Sequence, residues 1–369
     1  MWWPSAPFRL AVLAFVVSVA HWPAIFSAPY MPRWWAIAAG LPLLFGLGRW
    51  EGETRIGMLA LAGMAWGAVA CALSEAPLTT LVPLYLTGLL IVAAGVGSTQ
   101  RDFSPVMVGF AAGAAMSSAV AVAQIAGWSA IPMVGAAPGG LFYNSEVLAE
   151  FAAPLLVWAI VARRWGFVVA LAVPLALCQS RIAVLAVAVG LLWAWKPAWR
   201  LAKPLVIVAL TVAAIAAIML LGPEKFDSAW HRLVLWGAAL HSLTPLGSGL
   251  GWWASAHPFA YEEFVHSDAL QWLVEIGPGA LFFIAVPVLI FWRRIADRAL
   301  GGCFAALCFE ALVSFPLQVP ATGFLFAVLA GHLARPGSGL RFAEHESGVD
   351  RGADLRRAIP FSPGMAEGR

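Results

Sequence analysis

The sequence predicts an all-α polytopic integral membrane protein, on the basis of three observations. Of its 369 residues, 62% are hydrophobic and 11% are charged, and the mean hydropathy is +0.84. A protein with a water-exposed surface carries more charged residues than this. Apolar runs able to cross roughly 30 Å of hydrocarbon recur from Leu10 to Leu333. Lysine and arginine also gather in alternate connections between these runs.

The apolar runs divide into about twelve predicted transmembrane helices. They lie at residues 10–27, 34–48, 56–74, 78–97, 105–127, 147–162, 166–179, 181–195, 204–221, 269–292, 299–316 and 319–334. Together they form one predicted membrane domain, residues 1–335. Residues 336–369 are rich in glycine, proline and charge, which predicts a disordered cytoplasmic tail.

The distribution of basic residues predicts the orientation, because basic residues in short connections stay in the cytoplasm. One set of alternate connections holds Arg9, Arg49, Arg55, Arg101, Arg163, Arg164, Lys196, Arg200, Lys203, Arg293, Arg294 and Arg298. The other set holds Arg33, Arg181, Lys225 and Arg232. Both termini are therefore expected in the cytoplasm. Residues 127–147 and 222–268 are then outward-facing loops, where binding and catalytic residues are expected.

The larger loop, 222–268, contains a predicted amphipathic helix with the sequence DSAWHRLVLWGAALHSL. Asp227 or Ser228 can cap its start. Its apolar face carries, at spacings of three and four residues, Trp230, Leu233, Val234, Gly237 and Leu240. We expect this face to rest on lipid or protein. Arg232 lies off the face, so it can point into a polar cleft or remain among headgroups and solvent.

A glycine-rich stretch, TPLGSGLGWW, follows this helix. Its glycines permit tight turns and also allow backbone N–H groups to approach a ligand closely. It is not a phosphate-binding P-loop, because no Gly-Lys-Ser/Thr follows it. The glycines alone favour a simple turn.

The loop ends in FAYEEFVHSDALQ, which predicts the start of a membrane helix. Asp268 followed by Gln271 suits an N-cap with its capping-box partner. His266 then lies just before a helix N-terminus, where the dipole favours anions and disfavours the imidazolium ion. A neutral His266 is a candidate general base, and a structural histidine at the interface is the alternative.

Arg181 opens an apolar helix on the outer side, against the general charge trend. A charge beside hydrocarbon marks a partner or an anionic substrate, or else reaches back to the headgroups. The stretch LFYNSEVLAEFAAP adds Asn144, Glu146 and Glu150 at the outer end of another span. These acids can pair with Arg181 or Arg232, and for Glu150 a purely pairing role is the alternative to a functional one.

Four segments in this order resemble the O-antigen ligase and polymerase superfamily of bacterial envelope glycosyltransferases. They are LFYNSEVLAEFAAPLL, SRIAVLAVAVGLL, HRLVLWGAALHSLTPLGSGLGWW and HSDALQWLVEIGPGALFFI, within residues 140–292. The earlier spans match that superfamily only as hydrophobic helices. The resemblance implies a GT-C-like membrane fold with about a dozen helices and a large late periplasmic loop.

The resemblance also implies an activity. It implies transfer of a glycan from undecaprenyl diphosphate to an acceptor, at the periplasmic face of the bacterial inner membrane, without a cofactor or an essential metal. Arg181 matches the family's Ser-Arg at a helix mouth, and Arg232 matches the arginine that opens the loop helix. His266 matches the histidine before the next membrane helix, although Ser267 stands where the family often has asparagine.

The chemistry of such a transfer suits these residue types. A diphosphate leaving group needs fixed positive charge, which Arg181 and Arg232 can supply with their forked donors. His266 can take the proton of the attacking sugar hydroxyl, with possible supporting roles for Asp268, Glu150 and Asn144. One base without a carboxylate nucleophile predicts inversion at the anomeric carbon, an expectation that catalysis by Glu262, Glu263 or Asp268 would overturn.

A metal site is not expected. No Asp-x-Asp motif occurs, and Glu262 and His266, four residues apart, have no evident third ligand. Cys71, Cys178, Cys303 and Cys308 fall within or at the ends of apolar spans, and their spacing fits neither a metal nor a disulfide framework. They are expected to act as small packing residues.

Several functions stay open at this point. A ligase gives its glycan to lipid A-core, and the extended late loop with its arginine-then-histidine order favours this function. An O-antigen or exopolysaccharide polymerase gives it to another carrier-linked unit, and a protein-glycosylating relative is a third possibility. A transporter or flippase would need ionisable residues within the spans, where Glu310 is the main candidate. A non-enzymatic assembly scaffold is the remaining alternative.

Overall fold

The computed structural model describes residues 5–20, 31–45, 50–75, 77–128, 138–142, 144–178, 180–195, 227–256, 264–293, 295 and 297–336. This part of the chain contains α-helices and no strand. The helices are α1 (Ala6–Val19), α2 (Met31–Phe45), α3 (Thr54–Ala72), α4 (Pro77–Thr99), α5 (Ser104–Ile125), α6 (Ser145–Val161), α7 (Trp165–Cys178), α8 (Arg181–Trp195), α9 (Asp227–His241), α10 (Trp252–Ala256), α11 (Asp268–Ile276), α12 (Ala280–Trp292), α13 (Arg298–Val313) and α14 (Pro320–Leu333).

The described helices overlap eleven of the twelve apolar runs predicted from the sequence. The remaining run, 204–221, lies outside the described residues, as do the tail residues 337–369. Four helical segments are long and apolar enough to cross a membrane: α3, α4, α5 and the segment from Asp268 to Trp292. The other apolar helices are shorter. The chain is therefore all-helical in its described part, with four candidate membrane-spanning helices.

One predicted span, 269–292, is not a continuous helix. A 3₁₀ turn over Gly277–Gly279 separates α11 from α12. Gly277 has a φ of +54°, and Pro278 lacks the N–H that a continuing helix would need. The segment is still one candidate span by length and composition, but the turn divides it into two helices.

Helix α6 packs against α7, α8 and α13. Residues 147–159 of α6 are all buried, so this helix forms the centre of the described bundle. Helix α1 packs against α5, and α3 packs against α4 and α12. Helix α14 lies along α4.

Small residues bring α4 and α14 into close contact. A Cβ atom on Gly97 would overlap the carbonyl of Val328, and a Cβ on Gly331 would overlap the carbonyl of Ala94. In membranes, where lipid is as apolar as leucine, such close approach supplies much of the packing energy between helices.

The polar contacts gather at the two ends of the bundle. At one end, Arg293 forms an ion pair with Glu53 at 2.9 Å and donates to the carbonyl of Ala334 at 2.6 Å. At the other end, Arg33 donates to the carbonyl of Leu141 at 2.7 Å. The second end also holds the predicted site residues, and we call it the site end.

We expect Gly97→Ala to lower the midpoint of thermal unfolding in detergent, because the new methyl group must push α14 away from α4. Overpacking of this kind costs roughly 1–3 kcal/mol. Gly95→Ala is the matched control, since a Cβ there meets no atom within 4 Å and alanine favours the helix. Equal losses in the two variants would contradict close α4–α14 packing.

Candidate functional site

The candidate site is organised by the segment that joins α13 to α14. We call residues 313–318 the joining segment. Its first three residues each contact a different polar side chain. The carbonyl of Val313 accepts from Arg232 Nη1 at 3.3 Å, and Ser314 Oγ donates to both carboxylate oxygens of Glu150 at 2.8 and 2.9 Å. The Phe315 ring contacts the His266 ring edge-on, with centroids 4.9 Å apart. The structure thus brings together three residues predicted from distant parts of the sequence.

Arg232 forms a long ion pair with Glu146 of α6. Its Nη2 is 3.8 Å from Glu146 Oε2. The Arg232 side chain is 13% exposed, whereas that of Glu146 is 55% exposed. A long ion pair with an exposed partner contributes little energy, so an anionic ligand could replace Glu146 at low cost.

The packing of α9 explains the position of Arg232. The buried residues of α9 are Leu235 and Ala239, which pack against Trp253 and Val265. The apolar stripe predicted from the sequence is partly exposed instead, with Val234 41% accessible and therefore available to lipid. Arg232 lies off that stripe, as the sequence predicted, and reaches the joining segment.

His266 has an unusual backbone conformation just before α11. Its φ is +56°, in the left-handed region that a residue with a Cβ rarely adopts. The indole N–H of Trp236 donates to its carbonyl at 3.3 Å. Its ring meets Phe315, on which Phe264 also stacks at 4.4 Å. Such a strained residue persists only where its surroundings hold it, and strain of this kind is concentrated at functional sites.

The N-cap of α11 is Ser267 rather than Asp268, which corrects the sequence prediction. Ser267 Oγ accepts from the N–H of Leu270 at 3.3 Å. Asp268 is the first helical residue, and its carboxylate accepts from Leu317 N–H at 2.9 Å and from Gln318 Nε2 at 3.3 Å. The donors of the joining segment occupy Asp268, so the adjacent hydroxyl caps the helix.

Helix α11 buries a polar stripe. Asp268, Gln271 and Glu275 are spaced at three and four residues, and each is at most 2% exposed. Gln271 donates to Glu275 at 3.1 Å and accepts from the N–H of Val265 at 3.2 Å. Glu275 was not predicted from the sequence, although the regular polar spacing within an apolar helix was a signal of this stripe.

The glycine-rich stretch wraps around the end of α11. Gly247, Gly249 and Gly251 all have positive φ values. The Gly249 N–H donates to the Glu275 carbonyl at 2.7 Å, and the N–H of Gly251 donates to the Glu275 carboxylate. The N–H groups therefore bind the protein's own helix, in agreement with the simple-turn interpretation.

Two other predicted site residues lie apart from this cluster. Asn144 is the N-cap of α6 and accepts from the N–H of Glu146 at 2.8 Å, which is a structural role. Arg181 is the exposed first residue of α8 and has no ion pair with another described residue. The first turn of α8 is capped by buried Ser180, whose Oγ accepts from the N–H of Ala183 at 3.3 Å. Arg181 is thus available to a ligand, but no described contact links it to Arg232 or His266.

A further carboxyl group lies deeper in the bundle. Glu310 is fully buried, and neither of its carboxyl oxygens has a hydrogen-bond partner in the described part of the chain. Glu310 precedes Ser314, whose hydroxyl binds Glu150, by one helical turn.

Two of the predicted candidates, Glu262 and Glu263, lie outside the described residues. Within the described ranges, no three histidine, cysteine or acidic side chains converge as metal ligands would. Comparison with protein-family models and with curated protein sequences finds no match.

We expect Asp268→Asn to destabilise the protein, because an amide cannot accept from two donors with both of its polar atoms. One of the N–H groups of Leu317 and Gln318 would face another donor, at a cost of about 1–3 kcal/mol. Thermal unfolding in detergent measures the change. Asp297→Asn is the control, because asparagine also serves as an N-cap where Asp297 accepts from Leu300 N–H. Unchanged unfolding of Asp268→Asn would show that these two bonds do not hold the joining segment.

Proposed function

We propose that this protein is a glycosyltransferase that moves a glycan from an undecaprenyl diphosphate carrier to a hydroxyl acceptor. The transfer takes place at the periplasmic surface of the bacterial inner membrane. One observation carries the proposal: a cation, a carboxylate and an imidazole contact three consecutive residues, Val313, Ser314 and Phe315, at one end of an apolar bundle. An interfacial site of this kind gives access both to a lipid-borne donor and to a polar acceptor.

The arginines bind the leaving group in this proposal. Arg232 exchanges its long contact with Glu146 for the diphosphate, and exposed Arg181 supplies a second positive charge. Guanidinium groups offer paired donors that match phosphate oxygens. Charge that develops on the diphosphate as the bond breaks is then stabilised by groups already in place.

His266 activates the acceptor. The acceptor oxygen forms a bond to the anomeric carbon, the bond from that carbon to the diphosphate oxygen breaks, and the hydroxyl proton passes to the imidazole. The edge-on contact with Phe315 and the left-handed backbone hold the ring in one orientation. Attack from the side opposite the leaving group inverts the anomeric carbon, so no covalent intermediate is required.

Within this activity we propose a ligase that delivers the glycan to lipid A-core, with both termini in the cytoplasm and the site in the periplasm. The sequence resemblance supports this choice, because an extended late loop with Arg232 followed by His266 fits the ligase branch better. A polymerase that extends a carrier-linked chain is the alternative, and it would use the same residues on a different acceptor.

A transporter is the second candidate function. The observation that favours it is Glu310, a fully buried carboxyl without a hydrogen bond in the described part of the chain. Glu310→Gln discriminates between the two functions, because ion-coupled transport would need an ionisable group there. Glycan transfer at the site end would continue in this variant.

We expect His266→Ala to abolish glycan transfer while the protein still accumulates in the membrane. The experiment supplies a host lacking this protein with wild type or variant at matched abundance, and separates lipid A-linked from undecaprenyl-linked chains. Long chains left on the carrier indicate a ligase, and single repeats indicate a polymerase. His241→Ala, at the exposed end of α9, is the control. A wild-type profile for His266→Ala would end the general-base role.

We expect Arg181→Ala to reduce transfer at least tenfold without lowering thermal stability, because this exposed side chain binds the leaving group rather than the fold. The measurement is transfer from a purified lipid diphosphate-linked donor, together with unfolding in detergent. Arg55→Ala removes an exposed arginine of α3 and should leave both quantities unchanged. A wild-type rate for Arg181→Ala would remove this residue from the donor site.

A further inference from the structure

Arg232 has one fixed partner and one exchangeable partner. Its Nη1 donates to the carbonyl of Val313 at 3.3 Å, whereas its Nη2 lies 3.8 Å from Glu146 Oε2, which is beyond hydrogen-bond distance. The Glu146 side chain is 55% exposed, so water surrounds much of it. An anion can therefore take the place of Glu146 while the contact with Val313 is kept.

The structure holds Glu146 opposite Arg232 without fixing its carboxylate. Asn144 Oδ1 accepts from the N–H of Glu146 at 2.8 Å, which fixes the backbone in the first turn of α6. Glu150 lies one turn further along the same face of α6 and binds Ser314 of the joining segment. These two anchors keep the backbone of Glu146 in place, and its exposed side chain can move away and return without any change in the helix.

An arginine at a membrane surface is exposed to an excess of the wrong anion. Phospholipid headgroups supply most of the phosphate there, and anionic headgroups attract basic side chains. The phosphodiester of a phospholipid carries one negative charge, whereas the sugar-linked diphosphate of the proposed donor carries two. A guanidinium group offers paired donors to the oxygens of either anion, so it does not distinguish between them by its geometry alone.

The Glu146 carboxylate can supply the distinction by competition. A singly charged anion gains at Arg232 about as much as the carboxylate loses, and an exposed ion pair of this kind is weak in both cases. A diphosphate has a second phosphate that also attracts the arginine, so it displaces the carboxylate. Once the diphosphate leaves, Glu146 can return to Arg232.

We propose that Glu146 is a specificity-determining residue, which keeps the singly charged headgroups of bilayer phospholipids off Arg232 and yields this arginine to a lipid diphosphate. The inference rests on the proposed function, which makes Arg232 a ligand of the donor diphosphate. Glu146 binds no substrate in this role, and it acts by occupying the arginine until the donor arrives.

Photo-crosslinking in phosphatidylcholine vesicles tests this role. The vesicles contain a small fraction of phosphatidylglycerol with a diazirine next to its phosphate, and the label is counted on the α9 peptide that contains Arg232. Glu146→Gln should increase this labelling about threefold, which is within the range that a single exposed charge pair contributes. Farnesyl diphosphate, added as the lipid diphosphate, should remove the additional label, because both lipids bind the same arginine.

Glu75→Gln is the matched control for the loss of charge. Glu75 is an exposed glutamate that follows α3 at the site end, and no described contact joins it to Arg232. Its substitution should leave the labelling at the wild-type level. Glu146→Asp keeps the negative charge and should stay closer to wild type than Glu146→Gln does.

Three results would overturn the proposal. The first is equal labelling of Glu146→Gln and wild type. The second is an equal increase in Glu75→Gln, which would indicate a general effect of surface charge. The third is an increase that farnesyl diphosphate does not remove, because the two lipids would then bind at different places.

The labelling is measured without an acceptor, so its outcome is independent of the transfer assay. The expected increase in a protein that transfers no glycan would refute the proposed function and keep the competition at Arg232. Glycan transfer by the wild type, together with unchanged labelling of Glu146→Gln, would refute the role of Glu146 alone.

Discussion

The hydrogen bonding of the joining segment is the constraint on which the site depends. Helix α13 ends inside the protein, so the backbone groups of residues 313–318 cannot all turn to water. Arg232 binds one carbonyl, Asp268 binds an N–H, and Glu150 holds the hydroxyl of Ser314. Each of these side chains comes from a different helix. The need to satisfy one buried helix end therefore brings the charged residues together.

The sequence predicted the features that local rules control. The lengths of the hydrophobic runs predicted where the helices lie. The helical spacing predicted that Arg232 lies off the apolar stripe of α9. The polar residues after the loop located the start of α11 to within one residue, so His266 was correctly expected just before it. Each of these inferences needs only neighbours within a turn or two of the chain.

The sequence could not predict the contacts that join distant residues. Ser314 and Glu150 are separated by 164 positions, and no local pattern indicates their pairing. The N-cap assignment was wrong for the same reason, because Asp268 is bound by residues about 50 positions away. The break at Gly277–Gly279 was visible in the glycines and proline, but the strong hydrophobicity on both sides favoured one continuous span.

His266 has two roles in this site: its imidazole is the proposed proton acceptor, and its left-handed backbone turns the chain into α11. Glycine and asparagine adopt this conformation readily, so either could replace the histidine and preserve the entry into α11. Alanine, by contrast, removes the imidazole and also disfavours the backbone. Substitution can therefore remove the proton acceptor and leave the backbone turn in place. A protein changed in this way would keep its fold and lose glycan transfer.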